Sequence, residues 1–214
     1  RPAPLVATAP HQVWTWDITY LATTVRGSFF YLYLILDLFS RYVVGWMVAT
    51  CESAALAKQL IAETGTKQGI RPGQLTLHAD RGSSMKSQPV AFLLADLGVT
   101  KTHSRPYTSD DNPFSESHFK TLKYRPDFPD RFGAIQDARA HGRVFFPWYN
   151  NDHRHSGSAF MTPADVHYAR VPAILAVRAQ TLDAAFAANP PRCKRSPPTP
   201  KPPDIISNVG LFGS

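Results

Sequence analysis

Three acidic residues stand where an acid is out of character. Asp17 interrupts a run of aromatic and β-branched residues, Val13 to Thr19. Asp80 follows the short apolar run Leu75 to Ala79 and opens the loop Asp80-Arg81-Gly82-Ser83. In open α/β sheets, ligands gather at such strand ends. Glu116 lies in the first turns of a helix expected to begin near Asn112-Pro113, because proline suits the first helical position. Singly, each has an ordinary explanation: a strand-end acid, a loop acid and a partner for the helix dipole. Jointly, a carboxylate on a first strand, one after a later strand and one on a helix can converge on one pocket. Two unit charges about 4 Å apart repel by roughly 4 kcal/mol at an effective dielectric near 20. Protons or divalent cations must relieve that repulsion. Hard oxygen donors without a histidine or thiol set favour Mg2+ or Mn2+ over Zn2+. Two such ions about 3.5–4 Å apart clamp the attacking and leaving oxygens of an in-line phosphoryl displacement.

Other residues compete with the three or support them. Asp37 ends an apolar run close to the expected pocket and is read as structural, with Arg41 as its partner; a metal role is the alternative. Asp111-Asn112 suits a turn or cap better than a ligand pair. Lys120 and Lys123 fall four and seven residues after Glu116 and share its helix face. They suit DNA phosphates, and Lys120 also suits an i, i+4 ion pair with Glu116. His78 and His103 can line a pocket, although packed or surface histidines are commoner. The run Asn150 to His155 mixes Asp152, His153, Arg154 and His155; it reads as a polar helix end with phosphate contacts rather than a metal cluster.

The elements that must position these residues follow from period and punctuation. Residues 13–19, 29–36 and 42–48 read as strands joined by short links, hence as antiparallel hairpins. Ser53 caps a helix running to about Lys67, which Gly69-Ile70-Arg71-Pro72-Gly73 ends. A strand at 75–79, a helix at 87–97, a strand at 99–102, the Glu116 helix and a longer helix at 135–149 complete the order. This pattern predicts an α/β fold, a mixed five-stranded sheet flanked by helices.

Composition bounds the function. The chain has 214 residues with 43% hydrophobic, enough for a sizeable core. Lys plus Arg is 23 against 16 Asp plus Glu, a formal charge of +7 that points to a polyanionic partner, nucleic acid first. Cys51 and Cys193 form neither a four-ligand zinc site nor a disulfide framework. The longest apolar run, Phe29 to Leu36, is too short to cross a bilayer, so no membrane partner is expected. Residues 1–10 read as a linker, 11–170 as the core, 171–189 as a helical extension and 190–214 as a basic, Pro-rich, disordered tail; seven prolines fall within 190–203.

With these stretches in hand, the chain resembles the catalytic core shared by retroviral-type integrases and the DDE transposases of bacterial insertion sequences. The likeness covers about residues 11–168 and rests on Trp14 to Tyr20, Leu36 to Trp46, Leu77 to Ser83, Asp111 to Lys123, Trp148 to Ser156 and Met161 to Ala164. Thirty-five residues separate Asp80 from Glu116, the spacing for which this superfamily is known. Within it, the chain looks like the second-frame transposase of elements that encode their enzyme in two overlapping frames. The resemblance implies an RNase H-like fold, with Asp17, Asp80 and Glu116 as the catalytic and metal-binding triad for Mg2+, two ions, which Mn2+ can replace. It implies cleavage at a transposon end to free a 3′ hydroxyl and attack of that hydroxyl on a phosphodiester of target DNA, without a covalent protein–DNA intermediate. It adds Arg105 and Tyr107, in the loop before the Glu116 helix, to Lys120, Lys123 and Arg154 as DNA contacts. It also implies homo-oligomers assembled on DNA, a bacterial cytoplasmic, nucleoid-associated location, and an upstream helix-turn-helix region that the residues before Val13 are too few to hold. A decayed, non-catalytic DNA-binding remnant and an RNase H-type nuclease are alternatives. The intact triad and spacing weigh against the first, and the stretches 112–123 and 148–156 against the second.

Overall fold

The computed structural model describes residues 5–79, 88–103, 113–189, 198–203 and 207–209. A five-stranded sheet forms its centre. In chain order the strands are β2 (Val13–Ala22), β3 (Phe29–Asp37), β4 (Val43–Ala49), β5 (Thr76–Ala79) and β6 (Thr100–His103). They lie side by side in the order β4-β3-β2-β5-β6. β4, β3 and β2 pair antiparallel, whereas β5 and β6 continue the sheet in parallel with β2. The sheet is therefore mixed, as the element pattern predicts.

Alternation along β2 sorts its side chains onto two faces. Trp14 and Trp16 enter a core with Tyr33, Ile35, Leu77 and Ala79, covered by α1 (Ala54–Lys67) and α2 (Gln88–Asp96). Leu21 enters the opposite core with Leu32, Leu34 and Leu36, covered by α3 (Pro113–Lys123) and α4 (Ile135–Asn151). Thr15, Asp17 and Thr19 share the Leu21 face. Ser53 caps α1 as expected, its side chain accepting from the Ala55 N–H. α3 opens at Pro113.

Close packing sets two glycines. A Cβ on Gly45 of β4 would overlap Thr64 Oγ1 of α1. A Cβ on Gly142 of α4 would sit 2.7 Å from the Trp46 ring. Each lets a helix approach the outer strand closely.

After α4 the chain makes a 3-10 turn at Ser156–Ser158, a short helix α5 (Pro163–His167) and a longer helix α6 (Val171–Ala188). Thr162 and Asp165 cap α5 reciprocally. α6 buries none of its residues and, by length and composition alone, is apolar enough to cross a membrane. A search for unbroken apolar runs misses it because Arg178, Gln180 and Asp183 interrupt the run. Its Arg178 donates to the carbonyls of Ala159 at 2.7 Å and Phe160 at 3.2 Å, which seats the helix on the preceding turn.

Parts of the ends differ from a linker and a disordered tail. Residues 5–7 and 207–209 form strands β1 (Leu5–Ala7) and β7 (Ser207–Val209), paired antiparallel with Leu5 opposite Val209. Pairing across almost the whole chain is set by long-range contact rather than local composition. Residues 190–197, 204–206 and 210–214 lie outside the described residues.

Candidate active site

Asp17 sits in the middle of β2, half-buried, and its Oδ1 accepts the Ile18 N–H at 2.8 Å. Opposite it on β3 is Leu34. On the other side β5 runs in parallel, and its last residue, Ala79, stands opposite Trp16. Asp80 follows directly in sequence and lies outside the described residues, as do Arg105 and Tyr107. The next row of the sheet on the Asp17 face is Thr15, His78 and Thr102, joined across β2, β5 and β6. His78 is buried and its Nδ1 meets Thr102 Oγ1 at 3.0 Å, so it braces the sheet.

α3 lies over this face. Its His118, Phe119 and Leu122 are buried, while Lys120 is exposed. Glu116 is placed on α3 by its backbone; its side chain is outside the description. Lys123 shares the Glu116 face two turns on. Part of the Lys123 side chain is exposed, yet its Nζ turns inward and donates to Thr19 Oγ1 at 2.7 Å. Burial of that ammonium pushes its pKa below the usual lysine value, and the negative charge of Asp17 opposes the shift. The helix of Glu116 is thus fastened to the strand of Asp17, two residues from the carboxylate.

Asp37 plays another part. Fully buried, its Oδ2 accepts the His11 N–H at 2.7 Å, and its Oδ1 accepts the Ser40 N–H at 2.9 Å and hydroxyl at 2.7 Å. The expected partner, Arg41, meets it through the backbone, Arg41 N–H donating to Asp37 O at 2.8 Å. The Ser40 hydroxyl also meets His167 Nδ1 at 2.9 Å. Ser40 stands between the acid and the histidine and is buried, so this trio joins the N-terminal segment, the β3–β4 turn and α5 rather than presenting a nucleophile.

Arg154 is exposed and spends one N–H on the Phe160 carbonyl at 3.1 Å. His153 and His155 pack their rings 4.6 Å apart beside Tyr149, and burial lowers both pKa values, that of His155 to about 4. Among the described residues no group of three or more His, Cys, Asp or Glu is arranged to hold a metal. A cleft of about 520 Å³ lies over β4 between α1 and α4, lined by Tyr42, Trp46, Glu63, Lys67 and Asn151 among others; Asp17 is not among the described residues that line it. Sequence reasoning missed Thr19. Its one signal is its position two residues beyond Asp17, on the same strand face.

Comparison with known proteins decides the family. Two family models, both described as Integrase core domain, match residues 7–109 and 97–163. The chain belongs to the integrase core domain family. This core is 32% identical over 163 residues to the transposase for insertion sequence element IS904 of Lactococcus lactis, covering 74% of this chain and 62% of that protein. It is 30% identical over 158 residues to transposase InsF for insertion sequence IS3A of Escherichia coli, covering 73% of this chain and 54% of that protein. It therefore spans somewhat more than half the length of these relatives. In structure it is similar to the HTLV-2 integrase catalytic core domain in complex with magnesium, with a TM-score of 0.53 at 15% identity over 75% of this chain and 98% of that one. A simian T-cell lymphotropic virus intasome chain matches at TM-score 0.58 and 17% identity, over 96% of this chain and 65% of that one. These neighbours and the mixed sheet establish the RNase H-like fold of this integrase core.

Proposed function

We propose that this integrase core is the catalytic part of an insertion-sequence transposase, a polynucleotidyl transferase that cuts DNA at the element's ends and joins the freed 3′ hydroxyl to target DNA. Asp17, Asp80 and Glu116 are its metal-binding carboxylates. The observation that carries this reading is the position of Asp17, on the sheet face beneath the helix of Glu116 and beside the strand that leads into Asp80. The transposase relatives and the integrase fold support it. The donor chemistry fits a hard cation: among the described residues the face offers the Asp17 carboxylate and the hydroxyls of Thr15 and Thr19 and no thiol, while the His78 ring nitrogen Nδ1 is engaged with Thr102. Two Mg2+ ions, or Mn2+ in their place, would activate the attacking oxygen and neutralise charge on the leaving one.

The chain's own residues orient and hold. α3 carries Glu116 in its first turns and presents the exposed Lys120 to phosphate. Arg105, Tyr107 and the remaining N–H groups of Arg154 are the further DNA contacts, whereas the Lys123 ammonium, expected beside them, is engaged by Thr19. The partners are transposon-end and target DNA, with copies of the chain assembled on them; the intasome neighbour supports such assembly. The place of action is the bacterial cytoplasm, at the nucleoid. The test is nicking and strand transfer with Mn2+, comparing wild type with Asp17→Asn, Asp80→Asn and Glu116→Gln at matched melting temperatures. Loss of activity in all three is expected. Wild-type rates in any of them overturn the assignment of that residue.

A further inference from the structure

Lys123 occupies a place that a simple phosphate contact would not need. A lysine that only reaches for DNA leaves its ammonium in water, where rotamer entropy and hydration favour it. Here the ammonium is turned back onto the sheet and donates to Thr19, itself buried. Thr19 and Asp17 are alternate residues on one strand face, roughly 6–7 Å apart along β2. The fixed positive charge therefore stands beside the acid that the preceding section assigns to metal binding.

We propose that Lys123 is a tethered countercharge for Asp17, which stands in for divalent metal in the metal-free protein and opposes its binding. This rests on the reading of Asp17 as a metal ligand and goes beyond it. Without metal, the ammonium offsets the carboxylate on a partly buried face. When a divalent ion arrives, the same ammonium repels it, so the ion must either overcome that repulsion or displace Lys123 from Thr19. Lys120, exposed on the same helix, has no such anchor among the described contacts and remains available to DNA. Two lysines three residues apart thus divide the work: one faces the strand and one faces solvent.

The arrangement has an opposite-signed signature. Replacing Lys123 with a neutral residue of similar length should make the metal-free protein less stable and its metal binding tighter. A lysine with a purely structural role would lower stability without tightening metal binding, and a lysine that touches only DNA would change neither.

The experiment is a calorimetric Mn2+ titration of the chain without DNA, with melting curves in EDTA and in Mn2+. The samples are wild type, Lys123→Met, Lys123→Arg, Asp17→Asn and Lys58→Met. The last lies exposed on α1, across the sheet, and controls for net charge. Lys123→Met should bind Mn2+ roughly tenfold more tightly, the order expected for removing a nearby unit charge after solvent screening. It should also melt lower than wild type in EDTA and gain more from Mn2+. Lys123→Arg and Lys58→Met should bind as wild type does. Binding by Lys123→Met that equals or falls below wild type overturns the proposal, including the case in which neither binds. Binding by Lys123→Met alone supports it. If Lys123→Met does not fold, Lys123→Gln, neutral but still able to donate to Thr19, replaces it. Failure of the underlying reading looks different: Asp17→Asn would bind Mn2+ as tightly as wild type, which puts the metal elsewhere whatever Lys123 does.

Discussion

The side-chain amide of Asn150 pairs with the backbone of Val43 as a strand would: the Val43 N–H donates to Oδ1 at 2.9 Å, and Nδ2 donates to the Val43 carbonyl at 3.1 Å. Val43 lies on β4, the outer strand of the sheet. Gln68 donates to the Val44 carbonyl and Arg139 to that of Val48, so side chains occupy much of an edge that could otherwise recruit another chain. Asn150→Leu leaves two buried backbone groups without partners and should cost about 2–4 kcal/mol. Denaturant unfolding measures the loss, and light scattering should detect more self-association.

Asp37→Asn tests the separation of structural from catalytic acids. The amide keeps one acceptor but turns an NH2 toward a donor, either His11 N–H or Ser40. Stability should fall by roughly 2 kcal/mol, while activity per folded molecule stays near wild type. A variant of unchanged stability that has lost activity would bring Asp37 into the active site.

Acid should loosen the packing between α3 and α4. His118 is buried, with neither ring nitrogen bonded, edge-on to Tyr149 at 4.2 Å. Burial, with smaller contributions from His155 and His153, lowers its pKa to about 3, and His155 falls to about 4. Both folded-state values lie below the ordinary 6.5, so the unfolded chain takes up protons first as pH drops. Stability should be full above about pH 6.5 and fall progressively toward pH 4 and below. His118→Phe should flatten part of that slope in melting curves taken across this range.

Gly45→Ala forces a methyl group into Thr64 of α1, and Gly142→Ala forces one into Trp46. Overpacking of this kind costs about 1–3 kcal/mol. Combining Gly45→Ala with Thr64→Ser should recover part of the first loss in denaturant midpoints, because the clash includes the Thr64 methyl group at 3.1 Å as well as its hydroxyl.

Lys120→Ala should weaken DNA binding almost equally for all sequences. It should reduce the slope of log affinity against log salt by about one unit. Fluorescence anisotropy at several salt concentrations reads that slope.

Much of this molecule was legible from local sequence. Alternation in Val13–Thr19 put Asp17 on the face opposite Trp14 and Trp16, and the structure keeps it there. Ser53 and Pro113 marked helix starts that hold. Helical spacing put Lys123 on the Glu116 face, but spacing says nothing of what lies beneath a helix, so the Thr19 anchor was invisible. The donors to Asp37 were likewise hidden, because His11 is distant in sequence and donates through its backbone. The pairing of Leu5 with Val209 joins two segments whose compositions suggest neither strand nor partner.

The strand that carries Asp17 is bonded on both sides in opposite senses, antiparallel to β3 and parallel to β5. Sliding β2 by one residue would break both ladders and replace Asp17 by Trp16 or Ile18 on the working face. No intermediate setting exists between those two arrangements. Damage to this sheet should therefore remove the acid from a fraction of molecules entirely, while the remainder keep full chemistry. In a partly destabilised variant, the number of competent molecules would fall and the rate of each would not.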